Sequence, residues 1–312
     1  MPVTLDWLGC ATYRLTIDDL VVFCDGYMDR VPSAPDVGMT TADVDRADYV
    51  LVGHSHFDHI AGVETIASNT GARVIASNES VRVLRDAGVD SQQLMPSQGG
   101  ERHELAPGIT VRVIPSLHSC IWEGGSWDPN EVVIGHYGLS EHEKQEVRDR
   151  SGGRSNRRGS EIGNQASKPD AMTVQQMEEH QASTIGSNVD GGVLAYLFET
   201  PYGSIFWQDT SGCWTRLLSD LRPDFAIVAM AGRANIDGDP IQGSLAQYVA
   251  RVTDLLRPSR LTLGHHDNWM PPLTRDLTSE DALSAVRSEI SKVSPSSELV
   301  QLPYLSGFTV FE

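Results

Sequence analysis

Short apolar runs alternate with turn residues along the first third of the chain. The runs are rich in Val, Ile, Leu and aromatic residues, and Gly-Cys or Asp-Asp turns separate the first three, which predicts short strands. Two stretches that end near glycines, residues 60–68 and 79–87, predict helices. The predicted strands are 3–8, 13–17, 20–24, 47–52, 73–76 and 109–114.

Regular patterning returns at Gly191. The turn Thr200-Pro201-Tyr202-Gly203 predicts a hairpin between two apolar runs, and residues 242–256 and 281–292 predict helices. Because strands alternate with helices in both halves, the pattern predicts a layered α/β fold. The predicted strands of this half are 193–199, 204–207, 225–230, 261–263 and 308–311.

A polar stretch interrupts the pattern in the middle of the chain. Residues 139–189 lack apolar periodicity, and DRSGGRSNRRGSEIGNQASKPD (149–170) has the composition of a flexible segment. We interpret 125–190 as an insertion within one domain that spans 1–312, with short helices at its flanks, 140–148 and 173–181. A lid over a site and a disordered surface loop both remain open.

The charge and composition of the chain limit the classes of binding partner that it can be expected to have. Formal net charge is −18, from 24 Lys and Arg against 42 Asp and Glu, which argues against nucleic acid and anionic membranes because both need a basic footprint. No apolar stretch reaches about 18 residues, so no transmembrane helix is expected. Four scattered cysteines and the absence of an export signal in MPVTLDWLGC predict reduced thiols and a cytoplasmic location. A homo-oligomer stays open.

The segment VLVGHSHFDHIAGV (50–63) carries three histidines and an aspartate directly after an apolar run. In a loop after a strand, His54 and His56 can point to one side, and Asp58 and His59 can turn toward a second position. Imidazole and carboxylate groups are ligands of Zn²⁺ and similar ions. Surface or capping histidines are the alternative, but this density of donors favours a metal site.

Other metal-binding side chains also follow hydrophobic runs. They are His118 in VIPSLHS, Asp209 in IFWQDTSG, and His265 and His266 in LTLGHHDN. An α/β sheet collects its site residues where its strands end, so these side chains are expected to meet. Taken alone, His118 could be a structural histidine and Asp209 a turn or helix cap. Together with HSHFDH they predict one site.

The ordered set HxHxDH, His, Asp, His resembles the metallo-β-lactamase superfamily over nearly the whole chain outside 125–190. The resemblance implies an αββα sandwich with a metal site at one edge of its sheets. It also implies two divalent ions, with zinc as the default and manganese or iron as alternatives. The ligands carried over by position are His54, His56 and His118 for one ion, Asp58, His59 and His265 for the other, and Asp209 as the bridge.

The resemblance extends to residues around these ligands. Asp25 in VVFCDG stands where the family has an early supporting aspartate. LGHHDNWMPPL is similar to the HWDN…PL ending in relatives of L-ascorbate-6-phosphate lactonase, which assigns the ligand to His265 and puts His266 at the tryptophan position. Asp267 is then expected to orient a ligand, and Trp122 to wall the pocket.

The implied activity is a metal-dependent hydrolase with a small-molecule substrate. Two cations lower the pKa of a bridging water, and the hydroxide would attack a lactone, ester or amide. Asp209 would position it and Asp58 would accept or relay its proton, so both are candidate catalytic residues. A phosphodiesterase, a mononuclear-iron oxygenase and a binding protein on the same scaffold remain alternatives, and arginines in the insertion are the hint of phosphate.

Overall fold

Two stacked β-sheets form the centre of the protein, in a computed structural model that describes residues 2–122, 128–150 and 171–312. The strands are β1 (Val3–Trp7), β2 (Tyr13–Ile17), β3 (Leu20–Cys24), β4 (Tyr49–Leu51), β5 (Arg73–Ala76), β6 (Leu94–Pro96), β7 (Arg102–Ala106), β8 (Ile109–Pro115), β9 (Leu194–Thr200), β10 (Gly203–Trp207), β11 (Gly212–Cys213), β12 (Phe225–Ala229), β13 (Asn235–Ile236), β14 (Asp239–Pro240), β15 (Arg260–Gly264), β16 (Glu298–Leu299) and β17 (Phe308–Phe311). The first sheet has the order β17-β1-β2-β3-β4-β5-β6, the second β16-β15-β12-β10-β9-β8-β7, and β11, β13 and β14 form a small third sheet.

The described residues form eight α-helices. They are α1 (Phe57–Ile60), α2 (Val63–Thr70), α3 (Asn78–Asp86), α4 (Glu141–Arg150), α5 (Ala171–Ser183), α6 (Thr215–Leu218), α7 (Leu245–Leu256) and α8 (Glu280–Val293), with a 3₁₀ turn at Thr41–Asp43. Among the described residues, no helix has the length and apolar character needed to cross a bilayer.

The hydrophobic core has three layers. Between the sheets, Tyr196 stacks on Trp207 with ring centroids 5.5 Å apart, and apolar side chains of both sheets surround this pair. Ile66 and Leu84 bury α2 and α3 against the outer face of the first sheet. Val249 and its neighbours bury α7, with α8, against the second. The predicted αββα sandwich is therefore confirmed.

The helix predicted over 60–68 is present as α2, but it begins three residues later than predicted, at Val63. The chain forms two short helices, α1 and α2, with a break at Ala61 and Gly62. Gly62 has φ +92°, and a Cβ there would lie 2.5 Å from the carbonyl oxygen of Gly26, so the break is set by a close tertiary approach. Strands β6 and β7 were not predicted from the sequence, because their three to five residues carry little apolar patterning.

The insertion is helical at both flanks. Helices α4 and α5 stand where 140–148 and 173–181 were predicted. Met177 of α5 is buried in a cluster with Tyr27 and Trp269, so α5 packs on the body of the protein. The insertion arginines that hinted at a phosphate substrate, at 154, 157 and 158, lie outside the described residues.

Tyr196 joins the two sheets directly beneath the HSHFDH segment. Tyr196 lies on β9 of the second sheet. Its hydroxyl lies 2.8 Å from the carbonyl oxygen of Val52, which follows β4 of the first sheet, and 3.2 Å from that of Ile75 on β5. Val52 is separated from His54 by a single residue. The hydrogen bond therefore fixes the strand end from which the histidines project.

We expect Tyr196→Phe to lower the free energy of unfolding by about 1–2 kcal/mol, because a buried carbonyl loses its hydrogen-bond donor. Urea denaturation followed by circular dichroism measures this loss. Tyr202→Phe is the matched control, since the Tyr202 hydroxyl binds Asp18 at a partly exposed position, 2.7 Å away. Equal losses in the two variants would contradict the assigned role of Tyr196.

Candidate metal centre

Three imidazoles converge where β4 and β8 end. The Nε2 atom of His54 lies 3.0 Å from Nδ1 of His56, and that Nδ1 lies 3.1 Å from Nε2 of His118. His54 and His56 are fully buried, while His118 is partly exposed. These three nitrogens form the first cluster of metal-binding atoms.

The imidazole rings of the first cluster carry too few N–H protons to make hydrogen bonds at both of the contacts between them. His54 donates its Nδ1 proton to Oδ2 of Asp209 at 2.5 Å, and His118 donates its Nδ1 proton to the carbonyl oxygen of Ser119 at 2.8 Å. Each Nε2 of these neutral rings then presents a lone pair to the same His56 nitrogen, which carries at most one proton. A cation among the three nitrogens resolves this conflict.

A second cluster lies at the start of α1 and the end of β15. Oδ2 of Asp58 lies 3.6 Å from Nε2 of His59 and 3.4 Å from Nε2 of His265, and the two Nε2 atoms are 3.2 Å apart. Ligands of a tetrahedral Zn²⁺ with bonds of about 2.0–2.1 Å are about 3.4 Å from one another. These three donors therefore have the spacing of a metal site.

Asp25 orients His59 toward this second cluster. Oδ2 of Asp25 accepts the Nδ1 proton of His59 at 2.7 Å, and its Oδ1 accepts from the backbone N–H of Gly53 at 2.9 Å. A carboxylate behind a histidine fixes the ring and its tautomer, as at many metal sites. The structure thus places Asp25 where the sequence predicted a supporting aspartate.

Asp209 lies between the clusters and is fully buried. Its Oδ2 contacts Nδ1 of His54 and lies 3.6 Å from Nδ1 of His59, on the side of the rings away from the Nε2 atoms. Its Oδ1 is buried and has no hydrogen-bond partner among the described residues. The structure brings Asp209 to both histidines, and its role as a bridge between two ions stays a prediction.

Burial and neighbouring charges shift the pKa values across the site. Burial lowers the pKa of His54 well below its usual value and also lowers that of His118. Burial acts against a charge on His59, but Asp58 and Asp25 outweigh it and raise its pKa to about 9. Burial likewise raises the pKa of Asp25 to about 7. Without a cation, the neighbouring Asp58 and Asp25 carboxylates favour the protonated form of His59.

The site opens to solvent on one side and has an aromatic wall on another. Asp58 and His118 are partly exposed, whereas the remaining predicted ligands are buried. Trp269 meets His265 edge to face, with ring centroids 5.3 Å apart, and contacts Phe57 and Tyr27 at 6.2 and 5.9 Å. On this side the second cluster is therefore backed by buried aromatic rings.

Three predicted neighbours have other surroundings. His266 stacks on Trp7 with ring centroids 4.8 Å apart, and burial lowers its pKa to about 4, so it packs as a structural side chain. Trp122 lies under Lys144 of α4, whose Nζ is 4.8 Å from the ring centroid. Asp267 accepts a hydrogen bond from the backbone N–H of Cys10 at 3.0 Å. It therefore holds the loop that contains Cys10 and does not orient a side chain of the predicted ligand set.

Sequence reasoning did not find Cys10 or the aromatic wall. The Sγ atom of Cys10 belongs to the second cluster, in which all donor atoms lie within 4.8 Å of one another. The tripeptide Leu8-Gly9-Cys10 has no metal-binding spacing, and its approach to Asp58 depends on tertiary packing. The wall joins Tyr27, Phe57 and Trp269, which no local pattern connects.

Gly53 is required by the close approach of Asp209. A Cβ at this position would lie 1.9 Å from Oδ2 of Asp209. We expect Gly53→Ala to displace the carboxylate from His54 and to weaken zinc binding by about tenfold or more, since loss of a ligand's orienting partner has that effect. Equilibrium dialysis with zinc measures the change.

Gly264→Ala is the control for this variant. It precedes His265, but its Cβ would meet the Tyr13 ring at an ordinary contact of 3.4 Å. Unchanged zinc affinity in Gly53→Ala would contradict the placement of Asp209.

Comparisons with known proteins agree with this geometry. Residues 22–147 match the model of the beta-lactamase superfamily domain. A UPF0173 metal-dependent hydrolase of Roseiflexus sp. (strain RS-1) is 30% identical over 132 residues, which cover 42% of this chain and 52% of that protein. The chain thus spans about half the length of the curated relatives it matches.

Solved structures share the fold across the chain. Igni18, a metallo hydrolase from Ignicoccus hospitalis KIN4/I, superimposes with a TM-score of 0.59 at 16% identity, covering 100% of this chain and 99% of that one. CmlA, a diiron beta-hydroxylase from Streptomyces venezuelae, gives 0.53 at 12% identity, covering 96% and 52%. Residues 22–147 therefore match the beta-lactamase superfamily domain, and the chain as a whole shares the αββα fold of these structures.

Proposed function

We propose that the protein is a metal-dependent hydrolase with two divalent ions, zinc by preference, that cleaves a lactone, ester or amide of a small molecule. The observation that carries the proposal is the pair of donor clusters. His54, His56 and His118 offer three nitrogens, and Asp58, His59 and His265 offer two nitrogens and an oxygen. The named relatives are metal-dependent hydrolases, which supports the same activity here.

The residues present fit the metal on chemical grounds. Neutral imidazoles and a carboxylate are ordinary zinc ligands, and the unpartnered Oδ1 of Asp209 is a buried anionic atom without a hydrogen-bond donor. When bound, the two ions would supply Lewis acidity and a water acidic enough to ionise near neutral pH. Asp25 and Asp209 hold the His59 and His54 rings in place for this chemistry.

Asp58 is the residue best placed to handle the proton. Its side chain is 14% exposed, in contrast to the fully buried Asp209, so it can meet both the donors of the second cluster and an incoming substrate. Burial opposes its ionisation, but the charge of His59 and a hydrogen bond from His265 lower its pKa well below the usual value. Asp58 is therefore ionised at neutral pH and able to accept a hydrogen bond from the attacking water.

The surroundings of the second cluster support a carbonyl substrate over a phosphodiester. Phe57, Trp269 and Tyr27 pack beside the second cluster, and of these three rings Phe57 is the partly exposed one. The nearby Arg30 is buried and bound to Asp267 at 2.7 Å, so its charge is already neutralised. A hydroxylase among the structural neighbours shares only the fold, so an oxygenase remains an outcome of the test.

A substrate panel run with zinc-loaded protein tests the proposal. The panel holds lactones, aryl esters, an amide, a β-lactam and a bis-aryl phosphodiester. We expect turnover of a carbonyl substrate and a loss of about a hundredfold or more in Asp58→Asn, because proton transfer loses its carboxylate.

Asp86→Asn is the matched control, since Asp86 is an exposed carboxylate on α3 that binds Arg82. Turnover of the phosphodiester alone would replace the proposed substrate class. Full activity of Asp58→Asn, or no turnover with both ions shown to be bound, would contradict the hydrolase.

A further inference from the structure

A thiol completes the second donor cluster. Cys10 is fully buried, and its Sγ lies with donor atoms of Asp58, His59 and His265 in a group whose members are all within 4.8 Å of one another. The same Sγ lies 3.4 Å from the backbone carbonyl oxygen of Asp58. The other three members are the residues assigned to the second ion, so Cys10 is a fourth donor on one site.

The backbone of Cys10 is held on both sides. Its N–H donates to the carboxylate of Asp267 at 3.0 Å, and its carbonyl oxygen accepts from the backbone N–H of His265 at 2.6 Å and from the Trp7 indole at 3.1 Å. Arg30 in turn fixes Asp267 through a buried ion pair of 2.7 Å. The loop that carries the thiol is therefore tied to the strand end that carries His265.

The conformation of both residues fits this arrangement. Cys10 has φ +47° and His265 has φ +61°, a left-handed region that side-chain-bearing residues seldom adopt. Two such residues joined by a short hydrogen bond indicate a segment held by its surroundings, and strained backbone of this kind concentrates at functional sites. The side chains of both residues enter the same donor cluster.

We propose that Cys10 binds the second metal ion as a thiolate, so that this site has one sulfur donor in addition to Asp58, His59 and His265. The inference rests on the proposed metal centre and adds a ligand that the superfamily pattern of histidines and aspartates does not assign. On binding, the S–H bond breaks, a sulfur–metal bond forms, and the proton leaves to the buffer.

A sulfur ligand makes the two sites chemically different. The first cluster offers three imidazole nitrogens, whereas thiolate sulfur in the second favours Zn²⁺, Co²⁺ or Fe²⁺ over Mg²⁺ and Mn²⁺. The second site then prefers zinc more strongly than its histidines and carboxylate alone would allow. Manganese should compete better for this site once the sulfur is removed.

Cobalt titration of the metal-free protein tests the ligand directly. Thiolate bound to Co²⁺ gives an intense near-ultraviolet charge-transfer band, which imidazole and carboxylate do not give. We expect this band in the wild-type protein with a total of two Co²⁺ bound, and its complete loss in Cys10→Ser. Cys213→Ser, which replaces a buried thiol on β11, is the matched control and should keep the band.

X-ray absorption on the zinc-loaded wild-type protein gives a second test that needs no variant. It should detect one sulfur per two zinc ions at about 2.3 Å. Two bound ions with no sulfur scatterer and no charge-transfer band would overturn the role of Cys10 and leave the proposed hydrolase standing. Failure to bind either metal would overturn both.

Discussion

The mutual approach of buried imidazole nitrogens is the constraint on which the rest of the structure depends. His54 and His118 both turn a lone pair toward one nitrogen of His56, at 3.0 and 3.1 Å. Lone pairs at this distance repel one another, and burial adds the cost of lost hydration. A bound cation would convert this repulsion into coordination, so the fold brings these nitrogens together in a way that fits the proposed metal centre.

Carboxylates behind the histidine rings hold the imidazole nitrogens in this arrangement. Asp209 and Asp25 each accept the rear proton of a cluster histidine, and Asp267 holds the loop of Cys10. Each of these three aspartates lies shortly after the end of a strand, at the edge of the sheets where the site is formed. The sandwich supplies rigid strand ends, and Tyr196 ties the sheets together immediately below them.

Much of this arrangement could be predicted from the sequence. The HSHFDH segment and the polar residues after later strands predicted which side chains meet, since strand ends gather at a common edge. The break at Gly62 escaped prediction because a contact distant in sequence sets it. Cys10 escaped prediction for the same reason. The choice of His265 over His266 as the predicted ligand rested on resemblance alone, because the stacking of His266 on Trp7 is a tertiary contact that the sequence does not show.

Anomalous diffraction from zinc-loaded crystals, measured at the zinc absorption edge, tests the central claim most directly. The account predicts two anomalous peaks, one among the facing nitrogens of His54, His56 and His118, and one between Asp58 and His265. A single peak, or peaks outside these two clusters, would contradict a two-metal centre built on the converging donors.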